Sequence, residues 1–291
     1  MTQKDFELQF NPRAAVPAEE IERYTTRAAA RSTATRQRWT EKRACHLDVP
    51  YGDSALSTLD IFPASRAGAP VHVFMHGGYW RARDKSDYSF VADALAPHGI
   101  TTVVMNYDLC PQVELDDIVA QVKRGFSWIK AHAGDFSSDP SCLSASGHSA
   151  GAHLVAAVLA DPGQDAVPGA ALLISGIYEL GPVLHVSVNE QIRLRPDRVD
   201  ALSPMRHPPA HPCRLAVAAG GAEPQGWIAQ SRDYAQACQR AGRDCIYIET
   251  PGDHHYSIMT HFDSPNGWFG HIAASMARPA PVFPTSHGAW K

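Results

Sequence analysis

The segment Cys142-Leu-Ser-Ala-Ser-Gly-His-Ser-Ala-Gly-Ala-His153 sets the architecture expected of this 291-residue chain. It contains a G-x-S-x-G pattern between an apolar run typical of a buried strand and an alanine-rich run typical of a helix. Gly147 and Gly151 leave room for a sharp turn that exposes the hydroxyl of Ser149 above a sheet. The start of the following helix also favours developing negative charge. This context predicts a nucleophilic serine at the end of a central strand.

Apolar runs alternate with helical segments on both sides of this turn, which predicts an α/β fold with a mostly parallel central sheet and helices on both faces. The strand candidates are 71–75, 101–105, 142–146, 170–174, 214–218 and 244–248, and the helix candidates lie near 86–97, 113–132, 150–160, 227–241 and 265–277. Two further runs, 45–49 and 57–62, flank turn residues and predict an antiparallel hairpin before the main sheet.

The same pattern divides the chain into an N-terminal helical arm, 1–45, a main domain, 46–278, and a C-terminal tail, 279–291. Within the arm, Pro17-Ala-Glu-Glu20 predicts a helix start. The stretch 177–212 interrupts the alternation of strands and helices and is rich in Pro, His and Arg. We expect it to form a small cap insertion over a site.

Composition argues against several classes of partner. The formal net charge is -4 and the pI is near 6.4, so no global charge favours nucleic acid or an anionic membrane. Basic residues crowd the arm without interleaved aromatic residues, which indicates a solvated helix. No apolar run approaches the roughly 20 residues that cross a bilayer. Six dispersed cysteines favour free thiols in the cytoplasm.

The segment His76-Gly-Gly-Tyr-Trp80 follows a predicted strand directly. Acyl transfer creates an oxyanion that is best stabilised by pre-aimed N–H donors, and glycines allow the backbone to approach the substrate. We expect the N–H groups of Gly77 and Gly78, with that of Ala150, to form the oxyanion hole. His76 is expected to order the loop. Tyr79 and Trp80 either line a substrate pocket or pack in the core.

A serine nucleophile needs a base, and the base needs a carboxylate. Glu223 lies in a glycine-rich loop after the strand at 214–218, whereas its competitor Asp233 lies within the next helix, so Glu223 is favoured. The base is expected after the last strand, in Pro251-Gly-Asp-His-His-Tyr-Ser-Ile-Met259. Spacing leaves His254 and His255 equal candidates, because neighbouring side chains point in different directions.

Motifs spread over residues 10–260 carry a resemblance to a known family. They are Asn11-Pro-Arg13, Asp48-Val-Pro-Tyr-Gly52, His76-Gly-Gly-Tyr-Trp-Arg81, Asn106-Tyr-Asp-Leu-Cys-Pro111, Gly147-His-Ser-Ala-Gly-Ala-His153 and Leu202-Ser-Pro204. The chain resembles the arylformamidase (kynurenine formamidase) and carboxylesterase branch of the α/β-hydrolase superfamily. The resemblance implies an α/β-hydrolase fold, Ser149 as nucleophile, Glu223 as acid and His255 as base, because the family's base precedes an aromatic residue. His254 is then expected to order the loop or lie near the substrate.

The resemblance implies a serine hydrolase that needs no cofactor and cleaves an aryl formamide, amide or ester through an acyl-enzyme. The expected partner is a small aromatic amide or ester of the N-formylkynurenine type, and self-association into a homo-oligomer stays open. A carboxylesterase or amidase acting on another aromatic substrate is the alternative. A non-catalytic binding protein on the same fold is a further one. A metal site at His207 and His211 is disfavoured, since Pro208-Pro209 prevents a regular helix between them.

Overall fold

One eight-stranded sheet organises residues 1–278, the part of the chain that the computed structural model describes. The predicted tail, 279–291, lies outside the described residues. The strands are β1 (His46–Pro50), β2 (Thr58–Phe62), β3 (Ala69–Met75), β4 (Thr101–Met105), β5 (Ser138–His148), β6 (Ala170–Ile174), β7 (Arg214–Gly220) and β8 (Asp244–Thr250). Their order across the sheet is β1-β2-β4-β3-β5-β6-β7-β8.

Ten α-helices within residues 1–278 connect and cover these strands. They are α1 (Gln3–Phe10), α2 (Pro12–Ala15), α3 (Ala18–Glu41), α4 (Phe90–Leu95), α5 (Leu115–His132), α6 (Ala150–Ala160), α7 (Asn189–Ile192), α8 (Val199–Leu202), α9 (Gln225–Arg240) and α10 (Trp268–Met276). None of the helices between residues 1 and 278 is both long and apolar enough to span a bilayer.

The predicted sheet is confirmed in its strands and in their directions. β3 to β8 pair in parallel, while β1 and β2 form the antiparallel hairpin and β2 runs antiparallel to β4. β5 is longer than its apolar core suggested, because it begins at Ser138, ahead of polar residues. The helix expected near 86–97 is instead broken into a 3-10 turn (Lys85–Tyr88), α4 and a second 3-10 turn (Ala96–His98).

Two apolar layers hold the helices against the sheet. Side chains of α5, α6 and α9 form the layer on one face, with Phe126, Leu154 and Trp227 fully buried. Side chains of α4 and α10 form the layer on the other face. Burying one such large side chain stabilises the fold by about 1.5–3 kcal/mol. Because both faces are covered, the central strands β3, β4 and β6 are buried along their whole length.

Helix α3 is fastened to the main domain by charge pairs, which accounts for its many arginines. Arg27 and Arg31 pair with Asp263, and Arg38 pairs with Asp93. Arg36 reaches Asp60, which is fully buried and also lies 2.9 Å from the Nζ of Lys85. A buried carboxylate needs such partners to remain charged. The basic residues of this helix therefore bind the protein's own carboxylates.

The stretch 177–212 contains only short helical turns, among them α7 and α8. Ser203 ties it together, since its hydroxyl accepts the N–H of Leu180 at 2.9 Å. Arg198 also pairs with Asp116 of α5. The prolines of this stretch prevent a longer helix. The sequence therefore showed no helical period long enough to predict these short helices one by one.

The turn between β5 and α6 depends on the close approach of two backbones. A Cβ added to Gly151 would lie 2.1 Å from the carbonyl oxygen of Met75, at the end of β3. A Cβ added to Gly147 would lie 2.4 Å from the backbone of Gly151. These distances are shorter than any van der Waals contact, so only glycine allows the helix to start directly above the sheet.

Replacing Gly151 with alanine is expected to lower the free energy of unfolding by about 2–3 kcal/mol, because α6 must move away from β3. Gly134→Ala is the matched control, since nothing lies within 4 Å of the added Cβ. Urea denaturation of both variants measures the difference. Equal stability of the two variants would contradict this account of the turn.

Candidate active site

Ser149 occupies the turn between β5 and α6 in a strained backbone conformation. Its φ is 56° and its ψ is -121°, a combination that is unfavourable for any residue with a Cβ. Such strain costs on the order of 1–3 kcal/mol and persists only where the surroundings enforce it. The hydrogen bond from the Ser149 N–H to the carbonyl of Ile174, at 2.8 Å, is part of that enforcement.

The loop after β3 lies against Ser149. A Cβ added to Gly77 would be 3.0 Å from the Cβ of Ser149, so the two residues are in contact. Gly78 has a φ of 116°, a conformation that glycine adopts freely. Within residues 1–278, the N–H groups of Gly77 and Gly78 donate to no protein acceptor. They remain available to an anionic oxygen near the serine.

His76 orders this loop, as expected, and is completely buried. Its Nδ1 donates to the carbonyl of Gly77 at 2.7 Å, and its Nε2 lies 2.8 Å from the Oδ1 of Asn106. The hydroxyl of Tyr107 donates to the carbonyl of His76 at 2.8 Å, and the two rings stack with centroids 4.3 Å apart. These contacts fix the glycines beside Ser149.

The two aromatic residues of the loop have different surroundings. Tyr79 borders the cavity above Ser149, and its hydroxyl donates to the carbonyl of Phe10 at 2.7 Å. Trp80 is fully buried and does not border that cavity. Its Nε1 donates to the Nδ1 of His153 at 3.2 Å, so this side chain packs in the core. Both residues have positive φ values, and their rings meet edge to face with centroids 5.5 Å apart.

Glu223 and His255 form a buried hydrogen-bonded pair. The Nδ1 of His255 donates to Oε1 of Glu223 at 2.6 Å. The other carboxylate oxygen accepts the Ser175 hydroxyl and the Gly220 N–H, each at 2.9 Å. Three donors therefore prevent the carboxylate from rotating. Because Nδ1 carries the proton, the Nε2 of His255 has a free lone pair.

Burial controls the protonation of this pair. Burial, together with a smaller effect of the nearby His254, lowers the pKa of His255 to about 3, which keeps the imidazole neutral near pH 7. Burial raises the pKa of Glu223 to about 7, against the opposing effect of the hydrogen bonds from Gly220 and Ser175. A neutral imidazole held in one tautomer is the form that can accept a proton.

His254 points away from this pair. Its Nε2 donates to the Oε2 of Glu20 in α3 at 2.9 Å, and its ring meets the edge of Tyr24. Its Nδ1 accepts the N–H groups of Tyr256 and Ser257. His254 does not border the cavity that contains Ser149 and His255. His254 was expected either to order the loop or to lie near the substrate, and its contacts are those of a residue that orders the loop.

A cavity of about 700 Å³ lies above Ser149 and His255. Gly78 and Tyr79 border it on one side, and Val188 is the residue of the stretch 177–212 that reaches it. The N-terminal segment contributes a large part of the remaining wall, through Asn11, Pro12, Arg13, Ala18, Ile21, Glu22 and Thr25. The arm therefore covers the site to a greater extent than the expected cap does.

Three residues of the site escaped the sequence analysis. Ser175 supports Glu223, and Trp227 places its ring edge against His255 with centroids 4.9 Å apart. The Nε2 of His148 donates to the carbonyl of His255 at 2.9 Å. Ser175 follows β6 directly and His148 precedes the serine, so position at a strand end was an available signal. Trp227 lies within a helix and offered none.

Comparison with known proteins shows the family of this chain. The family model described as BD-FAE matches residues 59–165. Kynurenine formamidase of Salmo salar is 31% identical over 225 residues, which are 73% of this chain and 75% of that protein. Kynurenine formamidase of Danio rerio is 29% identical over 280 residues, covering 91% and 93% of the two chains.

A solved structure supports the same placement. A candidate thioesterase from Silicibacter sp. tm1040 has a TM-score of 0.77 and 27% identity, and the match covers 88% of this chain and 94% of that one. The mixed sheet, the order of its strands and the serine turn after β5 are those of an α/β-hydrolase. The chain therefore belongs to the kynurenine formamidase family of α/β-hydrolases.

Proposed function

We propose that this hydrolase cleaves aryl formamides of the N-formylkynurenine type, using Ser149 as nucleophile, His255 as base and Glu223 as the supporting acid. The observation that carries the proposal is the buried hydrogen bond of 2.6 Å between His255 and Glu223, at a cavity that also contains Ser149. Nucleophilic acyl transfer requires a nucleophile, a base and a carboxylate that orients the base. Ser149, His255 and Glu223 are these three groups.

The reaction follows from these positions. His255 takes the hydroxyl proton of Ser149 at Nε2 while Oγ bonds to the formyl carbon. The carbonyl oxygen becomes an oxyanion, which accepts hydrogen bonds from the oxyanion hole of the Gly77, Gly78 and Ala150 N–H groups. His255 then gives its proton to the departing aryl amine as the C–N bond breaks. Water, deprotonated by His255, then attacks the formyl carbon. The bond between that carbon and Oγ breaks, His255 returns the proton to Oγ, and formate leaves.

Glu223 acts through His255. It holds the proton on Nδ1 and stabilises the imidazolium that forms in each half of the reaction. Its own pair of donors, the Ser175 hydroxyl and the Gly220 N–H, keeps the carboxylate aimed at the ring. Burial raises the pKa of Glu223, and transient positive charge on His255 favours its ionised form.

The cavity favours an aromatic leaving group and a small acyl group. Ile21, Tyr79 and Tyr88 supply apolar and aromatic wall above the serine. Gly77 lies in contact with Ser149, so little room remains around the acyl carbon. Formyl is the smallest acyl group. Aryl esters and larger amides are the substrates of the alternative proposal, a carboxylesterase or amidase.

Turnover of formanilide, acetanilide and phenyl acetate separates these proposals. We expect kcat/KM for formanilide to exceed that for acetanilide by about ten-fold or more, because the added methyl group meets the Gly77 loop. Ser149→Ala should lower kcat for every substrate by about 10⁴-fold. Faster cleavage of acetanilide, or of phenyl acetate alone, would favour the alternative. Turnover that survives in Ser149→Ala would contradict the mechanism.

The adjacent histidines provide a matched pair of variants. His255→Ala should lower kcat/KM by about 10³-fold or more, because the base is lost. His254→Ala should lower it by less than about ten-fold while reducing Tm, since its bond to Glu20 is lost. Steady-state kinetics and thermal unfolding of both variants test this. Similar kinetic losses in the two variants would show that His255 is not the base.

The two candidate acids can be compared in the same way. Glu223→Gln should lower kcat by about 10²- to 10⁴-fold, because an amide no longer fixes the imidazole tautomer or balances its charge. Asp233→Asn, on an exposed position of α9, is the control and should leave kcat within about two-fold. An equal effect of the two substitutions would remove Glu223 from the proposed triad.

We also place the chain in the cytoplasm. This proposal rests on six cysteines, all within the described residues and none in a disulfide. Free thiols persist where the surroundings are reducing.

A further inference from the structure

Three arginines border the cavity that contains Ser149 and His255. Arg81 and Arg83 follow the glycine loop, and Arg13 belongs to α2 of the N-terminal arm. The side chain of Arg83 packs beside Gly78, because its Cγ would lie 3.1 Å from a Cβ added to that glycine. Tyr256, the residue directly after His255, borders the same cavity. We call Arg13, Arg81, Arg83 and Tyr256 the arginine cluster.

The guanidinium groups of this cluster lack carboxylate partners among residues 1–278. Neither Arg13 nor Arg83 forms an ion pair within 4 Å. Arg81 contacts a neutral group, the Oε1 of Gln191, at 2.9 Å, and its Nε is buried with no acceptor in the described chain. The arginines of α3 differ in this respect, because Arg27, Arg36 and Arg38 all pair with aspartates.

Tyr256 borders the same cavity as the three arginines, whose charges act on its phenol. Burial raises the pKa of its phenol, and the positive charges of Arg13, Arg83 and Arg81 oppose that rise. Burial also lowers the pKa of Arg81, and Arg13 lowers it further, which is the mutual repulsion of two neighbouring cations. An anion bound among them would relieve this repulsion.

Two carboxylates also border the cavity, Glu22 and Asp87. Glu22 is exposed on α3, and neither carboxylate pairs with an arginine of the cluster within 4 Å. The ionisable side chains of the wall thus carry three positive and two negative formal charges, with His148 and His255 kept neutral by burial. The excess positive charge belongs to the arginine cluster.

We propose that the arginine cluster binds a carboxylate of the substrate, so that the enzyme prefers aryl formamides that carry a carboxylate to those that lack one. Guanidinium groups bind a carboxylate through charge-assisted, often bidentate, hydrogen bonds, and the Tyr256 hydroxyl supplies a further donor. The carboxylate fixes one end of the substrate while Ser149 attacks the formyl group at the other. This inference rests on the proposed function.

N-formylkynurenine and N-formylkynuramine test the inference, because the second compound lacks only the carboxylate. The wild-type enzyme should prefer the acid in kcat/KM by about ten-fold or more. Arg83→Gln, Arg81→Gln and Tyr256→Phe should each reduce that preference, mainly by raising KM for the acid. Arg240→Gln, on an exposed position of α9 remote from the cavity, is the charge-matched control and should retain it. Added salt should weaken the preference.

Binding to Ser149→Ala separates this inference from the proposed reaction. Calorimetry should show that kynurenine binds more tightly than kynuramine, and that Arg83→Gln in the same background removes the difference. That result would support the cluster even if no formamide were hydrolysed. Equal binding of the two ligands would overturn the inference and leave the triad unaffected. The inference would also be overturned if variants of the arginine cluster lowered kcat/KM for N-formylkynurenine and N-formylkynuramine by the same factor.

Discussion

The contact between the start of α6 and the end of β3 underlies the whole site. Gly151 reaches the carbonyl of Met75 so closely that no side chain fits between them. That approach forces Ser149 into its strained conformation at the top of the sheet. The same strand end leads into the loop that carries Gly77 to Ser149. The packing of the core thereby holds the strain, and the hydroxyl is positioned before any substrate arrives.

The second constraint is the burial of Glu223 beside the neutral imidazole of His255, at the carboxyl ends of β7 and β8. Removing Glu223 from water is unfavourable, and the three hydrogen bonds that it accepts offset this. Burial also lowers the pKa of His255, so the base is neutral where it must accept a proton. Removal from water thus has two effects. It makes burial of Glu223 unfavourable, and it keeps His255 in the neutral form that accepts a proton.

Local signals predicted the sheet, the hairpin and the serine turn, because strand burial and glycine at close approaches depend on short segments of sequence. Such local patterns do not predict contacts between segments that are distant in the sequence. His254 and His255 could not be separated by spacing, and their difference lies in Glu20 and Glu223, which come from opposite parts of the chain. The position of Trp80 against His153 and the cover that the arm forms over the cavity likewise depend on tertiary packing.

Mapping the residue that reacts with a fluorophosphonate tests the central claim most directly. Mass spectrometry of the digested, labelled protein should find one phosphonyl adduct, on the peptide that contains Ser149. Labelling should disappear in Ser149→Ala and slow strongly in His255→Ala, because the imidazole activates the hydroxyl. An adduct on another residue, or labelling that persists without Ser149, would contradict the account.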